Sequence, residues 1–150
     1  MEKAALKEHR RHSTADKPFS YYISNIPEYF PNAPMHWHKE FELNVILEGE
    51  GDFVTGDIHF TAYKGDIVLT PPDMLHAVYQ HDDKRCVYDT LDLDGSMLGS
   101  RDNDRAADAF ITPLISGAYS IETHITPEHC YYSELLTTAE NMINAAKGDT

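Results

Sequence analysis

Apolar and polar positions alternate along the chain between residues 36 and 47. The apolar side chains occupy every second position, at Phe41, Leu43, Val45 and Leu47. A period of two is typical of a β-strand whose two faces differ chemically. We therefore predict one strand over residues 36–47, and we expect its apolar face to pack against a second sheet or a C-terminal helix.

Similar short segments, separated by turn residues, occupy residues 19–94. The tetrapeptide EGEG at residues 48–51 predicts a turn, and Gly56-Asp57 predicts the tip of a hairpin. Gly65-Asp66 predicts another turn, and Pro71-Pro72 ends the strand that follows it. The remaining predicted strands are FSYYIS, MLHAVYQ and RCVYDTLDLD. Seven or so short strands in this order indicate a mainly β protein, built as a sandwich or a barrel.

Helical patterns follow residue 94. RDNDRAADAFITPLI predicts a short helix that Pro113 ends, and a longer helix is predicted over about residues 127–147. Thr126 is its expected N-cap, and Lys147 with Gly148 supplies a basic last turn and a stop. Its apolar stripe consists of Tyr132, Leu135, Leu136, Ala139, Met142, Ile143 and Ala146. Such a stripe must be buried, by default within the monomer.

The chain is predicted to be a single domain. Residues 1–18 are polar and form an arm or a short frayed helix, residues 19–94 form the β-barrel, and residues 95–150 form a helical segment. The formal net charge of −13 argues against a nucleic-acid-binding surface on this chain. Cys86 and Cys130 lack CxxC spacing, which favours reduced thiols. Without a membrane span or signal peptide, we expect a cytoplasmic protein that does not contact a membrane.

Metal-competent side chains are concentrated in the stretch MHWHKEFE. His36, His38, Glu40 and Glu42 fall on one face of the predicted strand, and His76 is a candidate from a neighbouring strand. Converging imidazole and carboxylate groups suit Fe, Mn, Ni, Zn or Cu. The same groups could instead line a polar pocket and hydrogen-bond one another, and the spacing leaves both interpretations open.

Other polar residues carry simpler expectations. The Asp-rich stretch over residues 82–108 predicts a solvated face. Trp37 falls between the two histidines and faces away from them, which favours a core or interface role. The histidines in polar or turn contexts are expected to be solvated, and these are His9, His12, His59, His81, His124 and His129.

Two motifs resemble those of the cupins. The run from His36 through His38 and Glu42 to Gly49 matches the first cupin motif at each defining position. The run Gly65-x5-Pro71-x-Asp73-x-x-His76-x3-Gln80 resembles the second, with Asp73 where glycine is usual and Gln80 where asparagine is usual. The resemblance implies a cupin double-stranded β-helix, or jelly-roll barrel, followed by C-terminal α-helices. It also implies metal ligands at His36, His38, Glu42 and His76, with Glu40 nearby.

Most of residues 5–147 resembles the N-terminal effector-binding and dimerisation half of AraC-family transcription regulators. That resemblance implies a small effector, often a sugar, in the barrel and a homodimer paired through the helix at residues 127–147. DNA would bind only through a C-terminal domain that this chain lacks, and the arm is either disordered or closes over the pocket. The expected ligand-binding residues are Tyr22, His36, His38, Glu40, Glu42, Asn44, His76 and Tyr88. The expected dimer-helix residues are Tyr132, Leu135, Leu136, Ala139, Met142 and Ile143.

The ligand set also allows an enzyme. A free-standing metal cupin with these four ligands could act as a dioxygenase, an isomerase or a lyase. Apart from Glu40, the sequence shows no separate general acid or base, and this weakens the enzyme hypothesis. The resemblance leaves open whether a divalent metal such as Fe, Mn, Ni or Zn is bound.

Overall fold

The computed structural model describes residues 2–98 and 104–149, and β-strands dominate it. The strands are β1 (Phe19–Ile26), β2 (Asn32–His36), β3 (Phe41–Thr55), β4 (Ile58–Tyr63), β5 (Ile67–Thr70), β6 (His76–Gln80), β7 (Cys86–Leu93) and β8 (His124–Ile125). All strand pairs among them are antiparallel. The predicted mainly β cupin jelly roll is confirmed.

Strand β3 belongs to both faces of the barrel. One face has the strand order β1-β7-β3-β5-β8. In the other face, β3 pairs with β4 and β6, and β6 pairs with β2. The first part of β3 pairs with β5 and β7, whereas the part from Glu50 onward pairs with β4 and β6. Because one strand serves both faces, it must bend between its two halves.

The tetrapeptide EGEG marks this bend, so the prediction of a turn there was wrong. Strand β3 continues through it, and its register against β7 shifts between Ile46 and Glu48. Gly49 follows the shift with a φ of +72°. A Cβ atom at this position would lie 1.7 Å from the carbonyl oxygen of Arg85. The bulge therefore needs glycine for both its conformation and its close backbone contact.

Two apolar cores lie on opposite sides of the first sheet. The outer core joins the odd-numbered face of β3 to the C-terminal helix, and its buried members are Leu43, Val45, Ile67, Leu91, Leu93, Ile125, Ala139, Ile143 and Ala146. The inner core fills the barrel and contains Ile26, Ile46, Phe53, Ala62, Val68, Val78, Cys86 and Tyr88. Packing thus explains the alternation along β3, because its apolar face packs against the C-terminal helix and its other face points into the barrel.

The predicted strand over residues 36–47 is interrupted. β2 ends at His36, β3 begins at Phe41, and His38 lies in the connection. The two strands pair with different partners, β2 with β6 and the start of β3 with β5 and β7. The histidines and Glu42 therefore reach the same space from different elements.

The helices differ from the prediction at their boundaries. A π-helix at Ala107–Ile111 runs into α1 (Thr112–Ile115), so the chain stays helical past Pro113. The long helix α2 spans Tyr132–Gly148 and begins later than predicted. The Nδ1 atom of His129 accepts a hydrogen bond from the backbone N–H of Thr126, which closes residues 126–129 as a turn. Short 3₁₀ helices occupy Lys3–Leu6 and Gly95–Leu98. No helix among the described residues is long and apolar enough to span a membrane.

The bulge gives a direct stability test. Gly49→Ala should lower the free energy of unfolding by about 1–3 kcal/mol more than Gly117→Ala, measured by urea denaturation. Both glycines have positive φ, so both substitutions carry the same conformational penalty of about 1–2 kcal/mol. The methyl group added at Gly49 meets a backbone carbonyl, whereas a Cβ at Gly117 has no atom of the described residues within 4 Å apart from its own residue and its chain neighbours. Equal losses for the two variants would contradict the close-contact explanation.

Candidate functional site

A cavity of about 320 Å³ opens between the two faces of the barrel. Strands β1 and β7 supply one wall, and β2 and β6 supply the other, with the start of β3 at the base. The arm contributes three further side chains. The lining residues are Glu8, Arg10, His12, Tyr22, Ile23, Ser24, Phe30, Ala33, His36, Glu42, His76, Val78, Tyr88, Thr90 and Asp92. The wall is therefore mixed, with an ionisable end and an apolar side.

Four of the predicted ligands meet at the ionisable end. His36 and His76 are register partners of β2 and β6, and their ring centroids lie 4.2 Å apart. Glu42 lies between imidazoles, with its Oε2 3.2 Å from Nε2 of His38 and 3.2 Å from Nε2 of His76. One ligand atom from each of the four residues lies within 4.8 Å of the others. These four side chains, His36, His38, Glu42 and His76, are called the barrel cluster below.

The histidine orientations fit a metal ion. Nδ1 of His36 lies 2.7 Å from the carbonyl oxygen of Pro34, and Nδ1 of His76 lies 2.8 Å from that of Met74. A carbonyl oxygen only accepts, so both Nδ1 atoms carry a proton and both Nε2 atoms are directed toward the cluster. Among the described residues, the buried Nε2 of His76 makes no well-formed hydrogen bond, although Oε2 of Glu42 lies 3.2 Å away. Three imidazoles and one carboxylate are a donor set that divalent transition metals accept.

Electrostatic coupling within the barrel cluster is strong. Burial by itself would raise the pKa of Glu42, but the adjacent His76 and His38 lower it well below its ordinary value. Burial opposes the charged form of His76, and Glu42 nevertheless raises its pKa. Burial and the neighbouring His76 both lower the pKa of His36. The carboxylate is thus held ionised, and His36 is held as the neutral imidazole that a metal requires.

A hydrogen-bond chain behind Glu42 fixes its direction. Asn44, two residues along β3, donates from Nδ2 to Oε1 of Glu42 over 2.6 Å. Thr90 on β7 donates to Oδ1 of Asn44 over 2.6 Å. Asn44 is only 1% exposed, so it supports Glu42 from inside the wall. Hydrogen-bond partners of this kind orient the side chains that bind a metal.

The arm brings two residues, Glu8 and His12, that the sequence patterns did not indicate as site residues. His12 was predicted to be solvated, but its side chain is buried. Its Nε2 lies 2.7 Å from Glu8, and its Nδ1 lies 2.9 Å from Asp92. Although burial disfavours the charge, the hydrogen bonds with Asp92 and Glu8 raise the pKa of His12 to about 11. Spacing gives no signal that His12 is buried at the site, because its second partner, Asp92, comes from the distant strand β7.

Asp92 on β7 was also missed, since the Asp-rich stretch was expected to be a solvated face. It is 1% exposed and lines the cavity. Its Oδ1 lies 3.9 Å from Nε2 of His38. Burial raises the pKa of Asp92 to about 6, although the hydrogen bond with His12 acts against that rise. The period-two pattern of β7 was the one available signal, because it places Asp92 on the same face as Tyr88.

The other predicted ligand-binding residues occupy different places. Tyr22 and Tyr88 line the cavity. Glu40 lies at the opposite edge of the His38 ring from Glu42, with its Oε2 3.5 Å from Nδ1. There it accepts a 2.6 Å hydrogen bond from Ser13 of the arm and borders a separate surface recess.

The departure from the second cupin motif at Asp73 has a conformational explanation. Asp73 has a φ of +62°, in the left-handed region that glycine occupies most easily. Aspartate is one of the few other residues that tolerate this region. Its backbone N–H donates to the carbonyl oxygen of His38 over 2.8 Å, so the turn also supports a cluster residue.

These observations agree with the sequence relationships of the chain. Residues 21–105 match the family described as AraC-like ligand binding domain. The match spans more than half of the 150 residues, and the chain belongs to this family. The uncharacterized HTH-type transcriptional regulator YdeC of Bacillus subtilis (strain 168) is 27% identical over 89 residues. The matching region is 59% of this chain and 31% of YdeC, so the match spans about a third of that regulator's length.

Solved structures with similar barrels include a cupin protein from Bacteroides fragilis, with a TM-score of 0.47 and 19% identity. The alignment covers 61% of this chain and 75% of the Bacteroides protein. The DMSP lyase DddQ from Ruegeria pomeroyi DSS-3 has a TM-score of 0.44 and 25% identity, and the alignment covers 51% of this chain and 38% of DddQ. At TM-scores below 0.5, these similarities say nothing about the function of this chain.

Proposed function

We propose that this chain is the effector-sensing domain of an AraC-like transcription regulator. The observation that carries the proposal is the cavity of about 320 Å³ with a buried donor cluster at one end, in a domain of the AraC-like ligand binding family. DNA binding is assigned to a separate region of the regulator. The net charge of −13 supports this assignment, because surfaces that bind DNA are basic. Effector binding would act by linkage, favouring one arrangement of the domain over another.

The effector proposed for this cavity is a small polyhydroxylated molecule of about monosaccharide size. The volume falls at the low end of the range for small-molecule sites. Hydroxyl and carboxyl groups of Ser24, Thr90 and Asp92 can hydrogen-bond a ligand on one side. Phe30 and Val78 offer an apolar surface on the other, which suits the carbon face of a sugar ring.

The barrel cluster is proposed to hold one divalent transition metal, with Fe, Mn, Ni or Zn as candidates. The convergence of four ligand atoms within 4.8 Å and the Nδ1 hydrogen bonds that direct two histidines toward the cluster support this part of the proposal. When bound, the ion would supply a Lewis acid for a ligand hydroxyl or carboxylate. The protein's own groups would orient the ligand, with Tyr22 and Tyr88 along the wall.

Metal content tests the cluster directly. Protein incubated with Mn²⁺ and desalted should retain about one ion per chain by elemental analysis. His76→Gln should retain none, because it removes a donor from the centre of the cluster. His81→Gln is the matched control, since His81 is partly exposed and pairs with Asp52. Retention of Mn²⁺ by His76→Gln would contradict the proposed site.

Effector binding can be tested with monosaccharides and sugar alcohols. A compound that binds should stabilise the folded protein by about 2.7 kcal/mol at a concentration 100 times its Kd, seen as a rise in Tm. Ala33→Phe, which places a ring in the cavity, should abolish the rise, whereas Ala145→Phe on α2 should keep it. Equal rises in both variants would place the binding site elsewhere.

A metal-dependent enzyme is the second candidate function. The observation that favours it is Asp92, a carboxyl group in the cavity wall beside His38, where a general acid or base would be useful. Mass spectrometry of the compound after incubation with the protein distinguishes a sensor from an enzyme. A sensor returns the bound compound unchanged by mass spectrometry, whereas an enzyme gives a product that disappears in His76→Gln.

A homodimer through α2 is also part of the proposal. All six predicted dimer-helix residues contact the outer core, and Ala139 and Ile143 are buried in it. The other four keep part of their surface exposed, so a partner could cover them, and these are Tyr132, Leu135, Leu136 and Met142. The stripe would then be shared between barrel and partner.

Light scattering after size exclusion tests the pairing. The native chain should elute with twice the monomer mass, and Leu136→Glu should elute as a folded monomer because it puts a charge into the shared surface. Thr138→Glu, on the exposed side of α2, should remain a dimer. A native monomer, or a Leu136→Glu dimer, would argue against this interface.

A further inference from the structure

The carboxylate of Glu8 on the arm reaches the barrel cluster from outside the barrel. Its Oε2 lies 3.7 Å from Nε2 of His36, the nitrogen that the Pro34 carbonyl leaves free. One ligand atom each from Glu8, His12 and His38 also lies within 4.8 Å of the others. Glu8 therefore shares the space of two of the four cluster residues.

The backbone of the arm sets this position. Lys7 and Trp37 form a parallel β-bridge. The N–H of Glu8 donates to the carbonyl of Trp37 over 2.9 Å, and the N–H of Trp37 donates to the carbonyl of Leu6 over 3.1 Å. Because Trp37 lies between His36 and His38 in the chain, this pairing places Glu8 beside both histidines.

The side chain of Trp37 holds the arm on the outer face. Its Nε1 donates to the carbonyl oxygen of Lys3 over 2.7 Å. The ammonium groups of Lys3 and Lys7 lie 5.2 and 5.3 Å from the centroid of the indole ring. One tryptophan thus links the arm to the segment that carries two cluster histidines.

His12 holds the Glu8 carboxylate toward the barrel. It lies between Glu8 and Asp92, at 2.7 and 2.9 Å. Since Asp92 is on β7, this chain of contacts runs from the arm to the barrel wall. Carboxylates that bind metals are oriented by hydrogen bonds from outer partners, and His12 is placed to act as such a partner for Glu8.

We propose that Glu8 is a fifth ligand of the metal site, so that the metal fastens the arm to the barrel. The inference rests on the proposed four-residue barrel cluster and extends it. Carboxylate oxygen is a suitable additional donor for divalent ions such as Mn²⁺ that take more than four ligands. An ion held by both arm and barrel binds more tightly when the arm is docked, so it must also favour docking. Metal occupancy then shifts the arm toward the docked position, in which Glu8, Arg10 and His12 line the cavity.

Limited trypsin digestion of the full chain, with and without Mn²⁺, measures docking. Lys7, Arg10 and Arg11 lie in the arm near Glu8, and cleavage after each gives a fragment that mass spectrometry resolves. Cleavage after Lys84, in the β6–β7 turn, serves as the internal reference. Trp37 is the sole tryptophan, so its emission reports arm docking independently. Mn²⁺ affinity is measured in parallel from the free ion by electron paramagnetic resonance.

In the native chain, Mn²⁺ should slow arm cleavage relative to cleavage after Lys84 and shift the Trp37 emission. Glu8→Gln should lose both responses and bind Mn²⁺ at least about tenfold more weakly, the lower limit seen even for outer partners of metal ligands. Glu2→Gln makes the same change at an exposed arm position and should behave as the native chain. His76→Gln keeps every arm contact but should lose the Mn²⁺ response, because the ion itself is lost.

The outcomes separate the inference from the site on which it rests. If Glu8→Gln binds Mn²⁺ as tightly as the native chain, Glu8 is not a ligand and the inference is overturned, whatever happens to arm cleavage. If the native chain binds no Mn²⁺, the inference is overturned, and the four-residue cluster is ruled out as a Mn²⁺ site. Tight binding by the native chain together with unchanged arm cleavage would overturn the fastening role alone.

Discussion

Strand β3 hydrogen-bonds to β5 and β7 through its first part and to β4 and β6 through its second. A flat strand cannot serve two faces that diverge, so β3 bends at the bulge that Gly49 allows. The bend closes the barrel and keeps the first part of the strand aligned with β7. Because side chains alternate along it, Leu43 and Val45 face α2 while Glu42 and Asn44 face inward. Core and site are therefore two faces of one strand.

Burying ionisable groups in this interior is costly unless each has a partner. The structure meets this requirement with alternating carboxylates and imidazoles. Glu42 lies between His38 and His76, and Asp92 pairs with His12. Asn44 donates a hydrogen bond to the other oxygen of Glu42, and Thr90 donates in turn to Asn44. The buried Nε2 of His76 lies 3.2 Å from Glu42 without a well-formed hydrogen bond, so charge attraction more than hydrogen bonding holds this pair together.

The arm is polar yet docked, because the groups it meets are polar as well. A β-bridge to Trp37 satisfies its backbone, and Ser13 reaches the buried carboxylate of Glu40. The arm is held by specific hydrogen bonds and charge pairs, including those of Glu8 and His12. Interactions of this kind respond to a change of charge in the cavity, whereas apolar packing responds weakly. An arm attached in this way suits a domain that has to sense what its cavity contains.

The sequence by itself determined the elements and the four-donor cluster. Period-two alternation, turn residues and helical spacing are local properties, so they predicted β1, β4 to β7 and α2 with errors at the ends, but they divided β3 at a turn. The resemblance to two cupin motifs was enough to predict that His76 meets His36, His38 and Glu42. The places of His12, Glu8 and Asp92, and the bend at EGEG, were decided only by the tertiary structure. Each depends on contacts between elements that are distant in the sequence, such as that of His12 with Asp92. A local sequence pattern does not specify which element a polar side chain will contact.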